Sequence, residues 1–322
     1  MTDVIERSPI QQLDERGYVV VEGVLDPERD LQPVLDEYED VLEGAARDLL
    51  ARGLLESTYS ELPFTERLIR FTRESRQSMS RYFDISLPQG GIRSDTPIHT
   101  GAACFRVLTN ERLLDLAEQI IGPEISVSPV GHIRMKLPEH TLEGGEDGLM
   151  AKIPWHQDNG VLLPEADHSR ILTVWLPINA ATIENGCLQV IPTPATKELI
   201  EHCPTGFGGP HVPDSALERP PVPLPMRPGS VLLMHSRTLH SSLENRTADQ
   251  VRISMDLRYQ SPDEPTGRPM FPAFIARSRS HPEREMRDPA AWSRMWLEAR
   301  ARLAEDCPAA FNRWDKNSPA CA

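Results

Sequence analysis

The sequence predicts a mainly β core, a barrel or double-sheet jelly roll, with helices packed before and after it. Three observations point there. Short β-rich segments follow one another between residues 123 and 260 with no helix between them. Helical apolar spacing is confined to the parts on either side. The 30 prolines gather in the connections. With 39% hydrophobic and 25% charged residues, the 322-residue chain can bury a substantial core. We read one domain over 1–322, in three parts: a helix-rich region (1–122), a jelly-roll core carrying the candidate site (123–260), and a rim loop with a C-terminal helical segment (261–322).

The elements follow in order. "GYVVVEGVL" (17–25) is β-branched and glycine-bounded, which predicts a strand. Asp26-Pro27 then reads as an N-cap with proline at the first helical position. Behind it Leu31, Val34, Leu35, Tyr38, Val41, Leu42 and Ala45 form one apolar stripe, a core-facing helix. A second helix is expected over Glu111–Ile121, its apolar side made by Leu113, Leu116, Ala117, Ile120 and Ile121 and its end set by Gly122-Pro123. Strands are expected in "ISVSPVGHIRMKLP" (125–138), "RILTVWLPI" (170–178), "GCLQVIP" (186–192), "GSVLLMHS" (229–236) and "QVRISMDLRYQ" (250–260). The proline-rich "ERPPVPLPMRPG" (218–229) reads as an extended strap. The last forty residues return to a helical pattern with Trp292, Trp296, Leu297 and Leu303.

Charge and cysteine usage narrow the function classes. With 34 Lys+Arg against 48 Asp+Glu, a formal balance of −14, neither nucleic acid nor an anionic membrane surface is an expected partner. Cys104, Cys187, Cys203, Cys307 and Cys321 are odd in number and hold no C-x-x-C pair, which predicts reduced thiols. The N-terminal "MTDVIERSPI" has no apolar core of a signal peptide, and no run approaches the roughly 18 apolar residues of a membrane span. A cytoplasmic protein acting on a small molecule is the expectation; the sequence carries no sign of its oligomeric state.

"WHQDNG" (155–160) carries the chemistry. A lone H-x-D triplet is weak, since 10 histidines give about 0.5 of them by chance. A non-haem iron site needs two neutral imidazoles and one carboxylate on one side of the metal. On a strand, residues i and i+2 point the same way, so His156 and Asp158 could share one ion. The third ligand must come from "LLMHSRTLHSSLENR", which offers His235 and His240. His240 is favoured because an apolar strand ends just before it. Twelve residues on, Arg252 and Ser254 point to one side of a strand and together make a receptor for a carboxylate, as the distal end of 2-oxoglutarate requires.

The run W-H-x-D, followed by "RILTVWLPIN", "ENGCLQVIP", "PGSVLLMHSRTLHSSLENRT" and "RISMDLRYQ", resembles the phytanoyl-CoA dioxygenase family of Fe(II)/2-oxoglutarate-dependent oxygenases. The resemblance covers roughly residues 15–260, from "LDERGYVVVEGVLD" onward. It implies a double-stranded β-helix, a cupin-like jelly roll with helices packed on one sheet. It implies Fe(II) held by His156, Asp158 and His240, with 2-oxoglutarate and O2 as cosubstrates. Arg252 would pair with the far carboxylate of 2-oxoglutarate, helped by Ser254 or Ser242. Thr173 and Trp175 would line the cosubstrate pocket, and His132 and Arg134 would face cosubstrate or substrate. The chain departs from the family's pattern in reading His240-Ser241-Ser242 where "HGS" is common, and "PTPAT" (192–196) where "PGSH" is common.

The leading expectation is therefore a dioxygenase that hydroxylates a small organic molecule and releases succinate and CO2. Retention of Asp158 argues against halogenation. A zinc hydrolase using the same three ligands, or a jelly roll that binds a ligand without turnover, are the alternatives. Without an evident Lys/Arg cluster for CoA, a mid-sized natural product or amino-acid-like molecule is at least as fitting a substrate. Two loops should border the site: glycine-rich "EHTLEGGEDGLMAK" (139–152) as a flap closed by substrate, and "SPDEPTGRPMFPAF" (261–274), with four prolines and Met270, Phe271 and Phe274, as a fixed wall.

Overall fold

The computed structural model describes residues 8–141, 152–194, 197–204, 209–306, 313–315 and 317–321. The chain opens with α1 (Pro9–Arg16) and β1 (Tyr18–Val21). Asp26 caps the next element through its carboxylate, as expected, but the first turn is a wide π turn (Pro27–Leu31) that leads into α2 (Gln32–Ala51). The predicted stripe buries Val34, Tyr38, Leu42 and Ala45 along α2. Then come α3 (Phe64–Ser75), α4 (Ser80–Phe83), α5 (Ala102–Leu108) and α6 (Glu111–Ile121), the last with the predicted bounds and capped by Asn110.

From there the chain is mostly β: β2 (Glu124–Val127), β3 (His132–Lys136), β4 (Leu172–Pro177), β5 (Leu188–Val190), β6 (Val222–Leu224), β7 (Val231–His235), β8 (His240–Ser242), β9 (Arg252–Gln260) and β10 (Phe274–Ser278). α7 (Pro289–Glu305) follows, the expected C-terminal helix, burying Trp292, Trp296 and Leu303 and leaving Leu297 exposed. The single strand expected over 125–138 is two, because Pro129 lacks a ladder N–H and the SPVG stretch lets the chain step from one part of β9 to another. The proline strap contains β6, which pairs with β5.

The larger sheet runs β1-β7-β4-β9-β2-β10 with β3 also on β9; the smaller runs β6-β5-β8. This is a mainly β jelly-roll core with helices around it, as predicted. β9 organises it, pairing with β4 along one edge and with β2 and β3 along the other. Alternation divides β9 between two environments. Ile253, Met255, Leu257 and Tyr259 join the helices in the main apolar core. Arg252, Ser254, Asp256 and Arg258 point the other way, toward the smaller sheet, and all are buried. Between the sheets, Trp175, Leu232 and Met234 pack on Leu188 and Val190, which closes that end of the jelly roll with apolar contacts.

One expectation about cysteines is overturned: Cys203 and Cys321 form a disulfide, 118 residues apart. Cys104 and Cys187 are buried free thiols, and Cys307 lies outside the described residues. Spacing carried no hint of the bridge, because a disulfide needs proximity in the fold rather than in the chain. Among the described residues no helix is long and apolar enough to cross a membrane.

Candidate metal centre

His156 and His240 face each other across an isolated antiparallel bridge, with backbone N–H groups donating to the opposite carbonyls at 3.0 and 3.1 Å. Asp158 is not on a strand as expected. It opens a short turn (Asp158–Val161) in which the Gly160 N–H donates to Gln157 O. The turn nevertheless brings the carboxylate to the imidazoles: ligand atoms of His156, Asp158 and His240 lie within 4.8 Å of one another, all three residues buried. Asp158 Oδ1 is 3.8 Å from His156 Nε2 and 4.0 Å from His240 Nε2. Each imidazole uses Nδ1 on a backbone carbonyl, Pro154 O at 2.9 Å and Thr238 O at 3.0 Å. A carbonyl accepts only, so Nδ1 carries the proton and each Nε2 keeps its lone pair for a metal. Burial, with His240 nearby, pushes the His156 imidazole down to about 3, so it stays neutral. His235 stands apart: its Nδ1 accepts from Arg237 N–H at 3.3 Å and it does not join the cluster.

Asp158 is gripped from behind. The Thr173 hydroxyl donates to Oδ2 and Arg258 Nη2 to Oδ1. Although burial opposes it, the Arg258 guanidinium, by its charge and its hydrogen bond, holds this carboxyl well below the usual carboxylate range. Arg258 Nη1 also reaches Asp256 Oδ1 at 2.9 Å, and Arg134 Nε reaches Asp256 Oδ2 at 3.0 Å. Arg134, Asp256, Arg258 and Asp158 thus form one chain of alternating charge, half-buried at Arg134 and buried at the other three. Thr173, expected along the cosubstrate pocket, directs its hydroxyl to the Asp158 carboxylate. His132 is tied through Nδ1 to buried Asp84 at 3.1 Å, which anchors it to the end of α4.

Arg252 has a different environment. It is 1% exposed, yet among the described residues no carboxylate pairs with it. Its Nε donates to Gly186 O at 3.2 Å, its Nη1 to Ser254 Oγ at 2.5 Å, and the guanidinium lies 5.6 Å from the Trp175 ring centroid. Burial, with Arg134 adding repulsion, presses its pKa down to about 9. A buried cation lacking an anion is costly unless a ligand supplies one. Trp175 Nε1 is a buried donor with no hydrogen-bond partner among the described residues. Ser242, offered as an alternative to Ser254, is used elsewhere: its hydroxyl accepts from Ile153 N–H at 2.9 Å. Gly186 has to be glycine, because at its φ of +88° a Cβ would come within 2.5 Å of Lys136 Cδ.

Lys136, Asp256 and Arg258 were not singled out from sequence. The signal was present for the last two, since alternation along "RISMDLRYQ" puts them on the side of Arg252 and Ser254. Lys136 sits directly opposite Arg252 in the β3–β9 register. A second cluster, Glu37, His99 and Cys104, also has ligand-type atoms within 4.8 Å. There Glu37 accepts from Ala103 N–H at 2.7 Å, and burial pushes the Cys104 thiol up to about 12, so this group serves to anchor α5.

Of the two loops, 142–151 lies outside the described residues. In the other, Phe271 and Phe274 are buried in the main core rather than offered to the site. Its Arg268 Nη2 donates to Val161 O and Gly267 O accepts from Leu163 N–H, so this loop braces the turn that carries Asp158.

The phytanoyl-CoA dioxygenase family model matches residues 13–254. The Bos taurus protein "Phytanoyl-CoA dioxygenase domain-containing protein 1" is 27% identical over 158 residues, which is 46% of this chain and 50% of that one. The chain therefore spans about half the length of the curated relatives it matches. The solved structure of the non-heme monooxygenase ThoJ covers 93% of this chain and 100% of its own, at TM-score 0.57 and 16% identity. That of SnoK, a non-heme alpha ketoglutarate dependent carbocyclase from nogalamycin biosynthesis, covers 87% and 90%, at TM-score 0.50 and 17% identity. At these identities the two structures share its fold.

Proposed function

The chain belongs to the phytanoyl-CoA dioxygenase family, and from that premise we propose that it is an Fe(II)- and 2-oxoglutarate-dependent dioxygenase that hydroxylates a small organic molecule, releasing succinate and CO2. The observation that carries this reading is the pairing of two sites linked by β9: a His-His-Asp cluster whose carboxylate is held by Arg258 of that strand, and a buried Arg252 on the same strand with no anion partner among the described residues. The donor set fits Fe(II), two imidazoles and a carboxylate leaving the rest of the coordination sphere open. Bound iron would supply the binding and reductive activation of O2 against the keto acid.

The chain's own residues do the rest. His156, Asp158 and His240 hold the metal, while Thr173 and Arg258 fix the carboxylate so that it binds as an anion in one orientation. Arg252 and Ser254 receive the distal carboxylate of 2-oxoglutarate, and Trp175 packs beside it. Arg134 and His132, both held by carboxylates, border the space left for substrate. Apolar packing by Trp175, Leu232 and Met234 excludes water from the closed end of the barrel.

Anaerobic addition of Fe(II) and then 2-oxoglutarate tests the reading. A weak visible charge-transfer band that needs both components supports it. A zinc hydrolase or a non-catalytic binder would give no such band, and its absence in iron-loaded protein sinks the proposal. A hydrolase also leaves Arg252 without a role. For the substrate, succinate release screened over natural-product-like and amino-acid-like molecules is the deciding measurement.

A further inference from the structure

The turn that carries Asp158 is held from outside by distant parts of the chain. Gln157, between His156 and Asp158, gives its backbone N–H to the Nε2 of His202 at 2.9 Å rather than to a strand. His202 is completely buried, and its Nδ1 lies 2.7 Å from Ile200 O, so that nitrogen carries the proton and Nε2 is left to accept. The Gln157 side chain is fastened as well, donating to Glu198 O and Arg237 O and accepting from Ile200 N–H.

Trp314 completes the arrangement. Its indole stacks on the His202 ring, centroids 5.1 Å apart at 24°, and its Nε1–H donates to Gly160 O at 2.6 Å. Arg313 forks onto both oxygens of Asp167 at 2.6 Å and reaches Leu162 O. The fit is tight: a Cβ at Gly160 would lie 2.3 Å from His202 Nε2. Cys203, the next residue after His202, is bonded to Cys321, which ties the segment bearing Trp314 to the loop bearing His202.

We propose that His202 and Trp314 are positioning residues for the metal turn, and that the Cys203–Cys321 bridge keeps them in register. The proposal rests on reading His156, Asp158 and His240 as the metal ligands. The physical reason is that Gln157 N–H and Gly160 O bracket Asp158, and neither bonds outward to a neighbouring strand. A turn of that kind takes its shape from whatever satisfies its polar groups. Here an imidazole of fixed tautomer takes one and an indole the other, and stacking locks the two rings together. Removing a ligand's own hydrogen-bond partner lowers metal affinity by about 10- to 100-fold, and loosening the turn that carries the ligand is expected to act at the lower end of that range.

The test uses the full chain and Mn(II) as probe. Trp314→Phe keeps the stack and loses the donor; Cys321→Ser frees the segment; His202→Leu removes the acceptor and His202→Gln restores one. Two quantities are read: amide exchange of a peptide over 153–163 in metal-free protein, with the β9 peptide 252–260 as internal reference, and the Mn(II) Kd by calorimetry. Expected are faster exchange at 153–163 alone and a Kd weakened about 10-fold or more in Trp314→Phe, Cys321→Ser and His202→Leu, with His202→Gln recovering most of both. Exchange that stays unchanged at 153–163, or that rises equally in 252–260, overturns the proposal, since the latter marks a loss of global stability. If wild type takes up no Mn(II), the ligand reading fails, while the exchange comparison still decides the positioning role.

Discussion

Arg258 and Asp158, 100 residues apart in sequence, form an ion pair in which the two side chains are only 4% and 1% exposed. The same guanidinium serves Asp256 and the Val130 carbonyl. Arg258→Met therefore leaves buried Asp158 without its counter-charge and Asp256 with Arg134 alone, a loss of about 3 to 5 kcal/mol. A divalent ion at the triad would return part of the missing charge to Asp158. We expect the metal-free variant to melt well below wild type, and Mn(II) to raise its Tm by more than it raises that of wild type. Equal metal-induced shifts would show that Arg258 and the ion do not share this carboxylate.

His156, Asp158 and His240 are expected to be jointly required. Alanine at any one should abolish succinate production and lower iron retention, with the circular dichroism of the fold preserved. His235→Ala should retain iron, because its ring faces Arg237 N–H rather than the cluster. Iron lost in His235→Ala and kept in His240→Ala reverses the assignment.

Arg252 and Ser254 are expected to set cosubstrate affinity without touching the metal. Arg252→Ala removes a desolvated, charge-assisted contact and should weaken 2-oxoglutarate binding about 30-fold or more. Iron content should hold. Titration of 2-oxoglutarate against the charge-transfer band measures it, and an unaltered midpoint removes Arg252 from the cosubstrate pocket.

The parts of this molecule that were legible in the sequence are those whose cause is local. The β9 strand announces itself by alternation, and α6 by its apolar spacing and its Gly122-Pro123 stop. The convergence of His156, Asp158 and His240 was legible because motif order carries three-dimensional meaning in a family. Asp158 was placed on a strand because alternation is the simplest way to converge two ligands. The chain turns there instead, since His202 takes the Gln157 N–H and Ser236 O takes that of Asn159, partners 45 and 77 positions away. Arg258 shares the face of Arg252, yet its role depends on Asp158 across the barrel. The Cys203–Cys321 bridge likewise depends on a meeting of segments that no spacing rule encodes.

Lys136 provides the pH prediction. It is 1% exposed, opposite Arg252 on the neighbouring strand, with its Nζ donating to Leu243 O. Burial first, then Arg252 and the more distant Lys152 and Arg134, press its pKa down to about 6 against only a partial offset from Glu139. The unfolded chain, with lysine near its ordinary value of about 10.4, then binds one more proton than the folded chain from pH 10 or so down to about 6. Stability must therefore rise with pH across that window, by about 1.4 kcal/mol per unit at most. Lys136→Met deletes this dependence, so the variant should be more stable than wild type, with the advantage large near pH 7 and shrinking toward pH 10. Binding of 2-oxoglutarate beside Arg252 would add an anion to the same pocket and draw a proton onto Lys136, so calorimetry at pH 7.5 in buffers of different ionisation enthalpy should register proton uptake in wild type and none in Lys136→Met. A stability difference that stays flat from pH 7 to 10 would show that Lys136 keeps its charge in the fold, and that Arg252 does not stand alone as the cation facing the cosubstrate.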